Sequence, residues 1–147
     1  MLYEFDQPLL GGAAMTETEL WYREVRGSVQ EKTYLVQILF DEIQFVDIRT
    51  GAMLQRVDCP NTGGLIGIYT IEDGYILHGE TELFRYDKQL NRVWEFSGRD
   101  IFATPNGEKA FWLEKNSIHC RDWLGWHYVL DLDGNPISEI LEMSPHS

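Results

Sequence analysis

Cysteine is almost absent from the sequence. Its two thiols, Cys59 and Cys120, stand far apart and lack the C-x-x-C spacing of paired metal ligands. A disulfide framework needs an even set of spaced cysteines, and a structural zinc site needs paired Cys or His ligands. The sequence therefore predicts neither, and we expect both cysteines to be reduced and buried.

Basic residues are also few. The chain carries 12 Lys and Arg residues against 24 Asp and Glu residues, which gives a formal net charge of -12. Such a chain repels a phosphate backbone, so nucleic acid is not an expected partner. The charge fits a role in solubility, and it also fits attraction to a basic partner protein or to a cation.

Long apolar runs are missing, and so are the short motifs of common enzymes. No run approaches the length of a membrane-spanning helix, and residues 1–6 are acidic where a signal peptide would be basic. There is no G-x-S-x-G motif, no P-loop and no Rossmann fingerprint. We expect a cytoplasmic protein without membrane contact, and the sequence motivates no catalytic residue.

What the chain does contain is ordinary globular composition and many short β-type segments. Its 147 residues, of which 44% are hydrophobic, predict a single domain over 1–147. Between 64 and 98, strands are expected at 65–71, 75–78, 83–86 and 93–96, separated by turns at 72–74, 79–81 and 87–91. In the first of these turns, Gly74 is expected to supply a positive φ.

The same pattern precedes and follows this unit. Upstream, strands are expected at 34–40, 43–47 and 53–57, and 20–25 fits either a first strand or a short helix. Downstream, a third unit contains 100–103, 110–113, 117–120 and the two runs that flank 131–135, with 122–128 as an inserted aromatic segment. The units span roughly 20–58, 64–98 and 99–141, with extensions at 1–19 and 142–147.

An aspartate precedes the last turn of each unit. Asp47, Asp87 and Asp131 recur 40 and 44 residues apart, and Asp133 is an alternative to the third. A period of about 40 residues with four strands is typical of β-propeller blades. Residues 45–51 (FVDIRTG) resemble the aspartate-x-x-threonine-glycine turn of pyrroloquinoline-quinone-type propeller blades, and 104–109 (TPNGEK) resemble a hairpin common in propeller blades.

The resemblance covers residues 20–141 and implies a fold. It carries no cofactor, because the tryptophan docking pattern of the quinone enzymes is not repeated in all three units. Three units cannot close a ring that needs about four to eight blades. Either two chains pair to complete a six-bladed assembly, or one chain curls into a sandwich or open barrel, which a short meander forms more readily. The predicted fold class is all-β, an antiparallel meander of about three four-stranded units.

Two groups of side chains have the right ligand types for a metal. The first comprises Asp131, Asp133, Asn135 and Glu142, and the second comprises His119, Cys120, Asp122 and His127. In the first group the spacing is that of a calcium loop, but Pro136 stands where the loop requires glycine, which favours a β-turn. In the second group, strand alternation places His119 and Cys120 on opposite faces. No metal site is predicted.

Aromatic and basic side chains crowd the segment 121–128. The candidate binding residues are Arg121, Trp123, Trp126, His127 and Tyr128. Trp, Tyr and Arg dominate interaction hot spots, which favours a binding surface. Trp126 and Tyr128 equally suit the core of a small β domain, where aromatic rings supply much of the buried area.

Three hypotheses of function follow. The first is a non-enzymatic protein–protein interaction module, which the charge makes compatible with an immunity-type inhibitor of a basic partner. The second is a small-ligand or carbohydrate binder, with or without hydrolytic activity, that uses the tryptophans as a stacking platform. The third is a self-assembling structural protein, which includes a homodimer.

Overall fold

The computed structural model describes residues 16, 23–60 and 63–142, and its strands form three antiparallel sheets. Sheet 1 contains β1 (Gly27–Gln30), β2 (Tyr34–Ile38), β3 (Glu42–Asp47) and β4 (Met53–Asp58). Sheet 2 contains β5 (Leu65–Ile71), β6 (Gly74–Gly79), β7 (Glu82–Asp87) and β8 (Arg92–Ser97). Sheet 3 contains β9 (Phe111–Glu114), β10 (Ser117–Arg121), β11 (Trp126–Asp131) and β12 (Pro136–Leu141). Strands pair in chain order, which confirms the all-β prediction of three four-stranded units.

The third unit differs from its sequence prediction. Residues 100–103 form no strand, and residues 126–128 begin β11, so they are not an insertion. Most of the added length lies in the β8–β9 connection at 98–110, against 59–64 for β4–β5. Phe102 is buried within that connection, which explains why its segment looked like a strand from its apolar residues.

The start of the first sheet also differs. Of the predicted segment 20–25, residues 20–22 lie outside the described residues, residue 23 is helical, and 24–25 contain no strand, so the described part does not support the strand alternative. The first strand begins at Gly27, because it pairs with β2 from Gly27 opposite Ile38 to Gln30 opposite Leu35.

Each sheet turns from its third to its fourth strand around an aspartate, as the sequence period predicted. The carboxylates of Asp47, Asp87 and Asp131 each accept two backbone N–H groups at 2.8–3.1 Å. The left-handed position of the turn is glycine in sheets 1 and 3, but in sheet 2 it is Leu90, with φ 63°. The Leu90 side chain is buried in the core, which holds this non-glycine residue in place.

These turns predict an acid-sensitive contribution to stability. Backbone hydrogen bonds lower the pKa of Asp47, Asp87 and Asp131 below the ordinary 3.8. Since the folded pKa is depressed, the stabilisation is complete above the ordinary value and is lost as pH falls through the lowered one. We expect urea midpoints of the wild type to fall more steeply below about pH 4 than those of the triple Asp→Asn variant. Parallel midpoint curves would contradict this.

Two apolar clusters join the sheets in series. One cluster lies between sheets 1 and 2, and the other lies between sheets 2 and 3. In sheets 1 and 2 we call the face that is turned towards the next sheet the forward face. In sheet 3 the forward face is the one turned away from sheet 2. The opposite face of each sheet is its rear face. Strand β6 is buried along its whole length, because sheet 2 is covered on both faces. Both cysteines are free and buried, as predicted.

Gly74 has a different role from the one predicted. It has no positive φ, and it is the first residue of β6, paired with Asp87. A Cβ atom at this position would lie 2.1 Å from the carbonyl oxygen of Tyr86. Glycine is required here because the backbone of β7 approaches closely.

Within the part of the chain that the structure describes, no helix has the length and apolarity needed to cross a membrane.

Candidate interaction surfaces

The turn between β10 and β11, residues 122–125, presents apolar side chains to solvent on a fixed backbone. We call it the Trp123 turn. The side chain of Asp122 is 1% exposed and accepts hydrogen bonds from the N–H groups of Leu124 and Trp126, both at 3.0 Å. Its other oxygen accepts the hydroxyl of Tyr128 at 2.5 Å. Gly125, with φ 97°, completes the turn.

The tip of this turn is apolar and exposed. Trp123 is 46% exposed and Leu124 is 52% exposed. The backbone N–H of Trp123 donates to the carbonyl oxygen of Ile101 at 2.9 Å, which ties the turn to the β8–β9 connection. The backbone is therefore ordered before any partner binds, and the entropic cost of binding is reduced.

The Trp123 turn lies at an acidic edge of the three sheets. The connections β2–β3, β4–β5, β6–β7, β8–β9 and β10–β11 all fall at this edge, because each strand reverses the chain direction. Hydrogen bonds link neighbouring connections, for example the N–H of Phe102 to the carbonyl oxygen of Glu80 at 2.7 Å. Exposed carboxylates at this edge belong to Asp41, Asp58, Glu80 and Glu108.

A second surface covers the forward face of sheet 3. We call it the histidine face, and it consists of Trp112, Glu114, His119, Arg121, His127 and Glu142. The His119 Nδ1 atom lies 3.0 Å from His127 Nε2, so one imidazole donates to the other. The outer nitrogens meet carboxylates: His119 Nε2 is 3.0 Å from Glu114, and His127 Nδ1 is 3.3 Å from Glu142.

Stacking fixes the rings of the histidine face. The Trp112 ring stacks on His119 with centroids 4.9 Å apart and an interplanar angle of 15°. The Arg121 guanidinium lies 4.8 Å from the Trp112 centroid, and its Nε donates to Glu142 at 3.0 Å. The result is an ordered layer of stacked rings and hydrogen-bonded polar groups. In the described part of the chain, no group of three or more His, Cys, Asp or Glu side chains is arranged to hold a metal ion.

The five candidate residues of the sequence occupy three environments. Trp123 is at the exposed turn, whereas Arg121 and His127 are on the histidine face. Trp126 and Tyr128 pack against sheet 2 in the second apolar cluster. Burial, and then the hydrogen bond to Asp122, raises the pKa of Tyr128. The candidates therefore do not form one surface.

The tryptophans do not form a joint stacking platform either. The guanidinium of Arg99 lies 3.9 Å from the ring centroid of Trp126, which occupies one face of that indole. Of the tryptophans among the described residues, only Trp123 is exposed. A joint stacking platform for a sugar needs two exposed, parallel indoles, and the described residues provide one.

Sequence reasoning missed Trp112 and Glu114, and it considered Glu142 and His119 only in groups of metal-ligand type that it rejected. A signal for this face was present in the repeat. The sheet registers place His119 and His127 at the positions that Ile76 and Leu83 occupy in sheet 2. When polar residues occupy positions that are apolar in the other units of a repeat, the face that carries them does not pack on another sheet of the same chain.

Comparison with known proteins identifies the fold and no family. No family model and no curated protein matches the sequence. Solved structures that match include the computationally designed Ika4 protein, with a TM-score of 0.63 and 15% identity over 80% of this chain and 72% of that chain. The WD40 domain of Neurospora crassa Pan2 matches with a TM-score of 0.64 and 13% identity over 87% of this chain. BamB from Moraxella catarrhalis matches with a TM-score of 0.57 and 18% identity over 78% of this chain.

These similarities show a propeller-like fold, since WD40 domains are β-propellers built of four-stranded blades. The chain spans less than half of the last two proteins, 42% of the Pan2 chain and 37% of the BamB chain. The three sheets are stacked as consecutive blades are.

Proposed function

We propose that this chain is a non-enzymatic protein-interaction module whose partner binds the acidic edge around the Trp123 turn. The observation that carries the proposal is an exposed Trp–Leu pair on a turn that buried Asp122 holds in place. Exposed tryptophan on a rigid backbone is the typical anchor of an interface, because it buries a large area at low entropic cost. Propeller-like proteins such as the WD40 domain support a scaffold role by analogy of fold.

The charge favours a basic partner. The formal net charge is -12, and exposed carboxylates of all three sheets lie at the same edge as the turn. Complementary charge accelerates association and excludes other acidic proteins. One kind of interaction module that binds a basic partner is an immunity-type inhibitor, which neutralises a basic enzyme. The carbohydrate alternative is less favoured, because Arg99 covers one face of Trp126. The pyrroloquinoline-quinone-type character of the blades stays a prediction that rests on residues 45–51.

The proposal is tested by comparing what immobilised variants capture from the source cell extract. We expect the Trp123→Ser/Leu124→Ser variant to retain at least about tenfold less of a specific basic protein than the wild type, as for loss of a hot spot. The matched control is Val93→Ser/Ile137→Ser, because these side chains are 54% and 61% exposed but lie on outer strands. Captured proteins are quantified by mass spectrometry.

Two further measurements separate a specific anchor from general stickiness. Charge reversal at Asp41 and Glu80 should slow association of the captured protein, and added salt should do the same. Circular dichroism confirms that each variant is folded. If the turn variant captures the same proteins in the same amounts as the control variant, the Trp123 turn is not the binding site.

A further inference from the structure

The two outward faces of the three-sheet stack carry polar pairs at the positions where the inner faces carry apolar pairs. We compare two central positions of each sheet, one on its second strand and one on its third, which the strand registers make equivalent. On the forward faces these positions hold Val36 and Ile43 in sheet 1, Ile76 and Leu83 in sheet 2, and His119 and His127 in sheet 3. On the rear faces they hold Gln37 and Gln44 in sheet 1, Leu77 and Phe84 in sheet 2, and Cys120 and Tyr128 in sheet 3.

The inner junctions match apolar pairs with apolar pairs. The forward pair of sheet 1 and the rear pair of sheet 2 belong to one apolar cluster. The forward pair of sheet 2 and the rear pair of sheet 3 belong to the other. A junction between two sheets is thus built from these same positions each time.

The outward faces have polar pairs at both ends of the stack. Gln37 and Gln44 alternate with Val36, Ile43 and Phe45 of the apolar cluster, so they point away from sheet 2. Gln37 Nε2 donates to Gln44 Oε1 at 2.8 Å, and Gln44 in turn donates to Glu42 at 2.6 Å. This ordered network is the counterpart of the histidine face at the other end.

From this match we infer that two copies of the chain join head to tail, with the histidine face of each copy on the glutamine pair of the other. The result is a closed six-sheet ring with four apolar junctions and two polar ones. Six sheets lie within the range of about four to eight that closes a propeller, and three do not. A contact between two different faces closes into a ring when the rotation allows it.

The chemistry of the two pairs supports this partner. The imidazole nitrogens are already partnered within the chain, but Gln37 uses only one of its two amide N–H groups, in the bond to Gln44, and the carboxylates of Glu114 and Glu142 keep further acceptor capacity. The glutamine side can therefore donate hydrogen bonds to the histidine face across a junction. Such satisfaction is what polar groups in a buried interface require. An apolar partner face would bury the remaining amide N–H of Gln37 and the carboxylates of the histidine face without new partners, which selects against the wrong neighbour. The second copy supplies both polar faces that the ring needs.

The test uses two variants that copy the apolar pairs of sheet 2. Variant F carries His119→Ile and His127→Leu, and variant R carries Gln37→Leu and Gln44→Phe. In a head-to-tail ring, F alone or R alone has two mismatched junctions. In a mixed dimer of F and R, the apolar forward face of F meets the apolar rear face of R, and the histidine face of R meets the glutamine pair of F. Both junctions are therefore matched.

Light scattering reads the result. We expect the wild type to have about twice the monomer mass of 17.1 kDa. Variants F and R should each dissociate at least about tenfold more readily, whereas their equimolar mixture should recover the dimer mass. Circular dichroism and thermal unfolding verify that F and R are folded as monomers.

Other outcomes overturn the inference. A monomeric wild type excludes the ring, and a wild-type dimer that F and R do not weaken excludes these faces. If F and R weaken the dimer but their mixture does not restore it, the copies do not pair head to tail. None of these results bears on the Trp123 turn, which lies at the edge of the sheets and on neither face.

Discussion

The Gly74→Ala variant should lose about 3 kcal/mol of unfolding free energy, as overpacking against a fixed backbone does. The added Cβ atom would meet the carbonyl oxygen of Tyr86 at 2.1 Å, where real Cβ contacts do not occur. Relief requires that β6 move away from β7, and β6 is buried on both faces of the central sheet. The measurement is urea unfolding followed by tryptophan fluorescence.

Gly27→Ala is the matched control for this prediction. Gly27 also begins a strand, but the nearest atoms to its Cβ position are the side-chain carbons of Ile38 and Ile68 at 3.6 Å, an ordinary contact. We expect its unfolding free energy to change by about 0.5 kcal/mol or less. Equal stabilities of the two alanine variants would show that the β6–β7 approach is not tight.

The repeat was readable from the sequence because local rules specify it. The turn of Asp47 needs only its own carboxylate and the backbone N–H groups that follow, so its spacing appears directly in the residue order. Strands β5 to β8 were found for the same reason, since each is a short β-branched or aromatic run between turn residues. The failure at residues 100–103 has the opposite cause: Phe102 is buried by tertiary packing without any strand.

The binding surfaces were less accessible to sequence reasoning. A run of aromatic residues does not reveal which face each side chain takes until the register of β10 and β11 is known. That register places His127 opposite Arg121 on one face, and Tyr128 opposite Cys120 in the core. The role of Gly74 was misread similarly, because a close approach of two backbones depends on strands that are distant in sequence. Neither feature is encoded in a local pattern.

Rigidity of the Trp123 turn depends on a single buried carboxylate. Asp122 receives hydrogen bonds from two backbone N–H groups and from the Tyr128 hydroxyl, which itself accepts the N–H of Arg99 at 2.9 Å. The Asp122→Ala variant leaves these donors without a partner in a site that is 1% exposed. Loss of a buried charged acceptor costs about 3 kcal/mol, so we expect the urea midpoint to fall accordingly.

Asp131→Ala distinguishes burial from turn chemistry. Asp131 accepts two backbone N–H groups at 2.9 Å, as Asp122 accepts two at 3.0 Å, but water reaches the turn of Asp131 and can replace its carboxylate. We expect only a small fall of the urea midpoint in this control. If instead both aspartate variants lose the same stability, the burial of Asp122 adds nothing to its contribution.

The Asp122→Ala variant also tests the proposed interface, because Trp123 itself is unchanged in it. If this variant binds the partner of the Trp123 turn more weakly than the wild type, the turn acts through its fixed backbone, as the proposed interface requires.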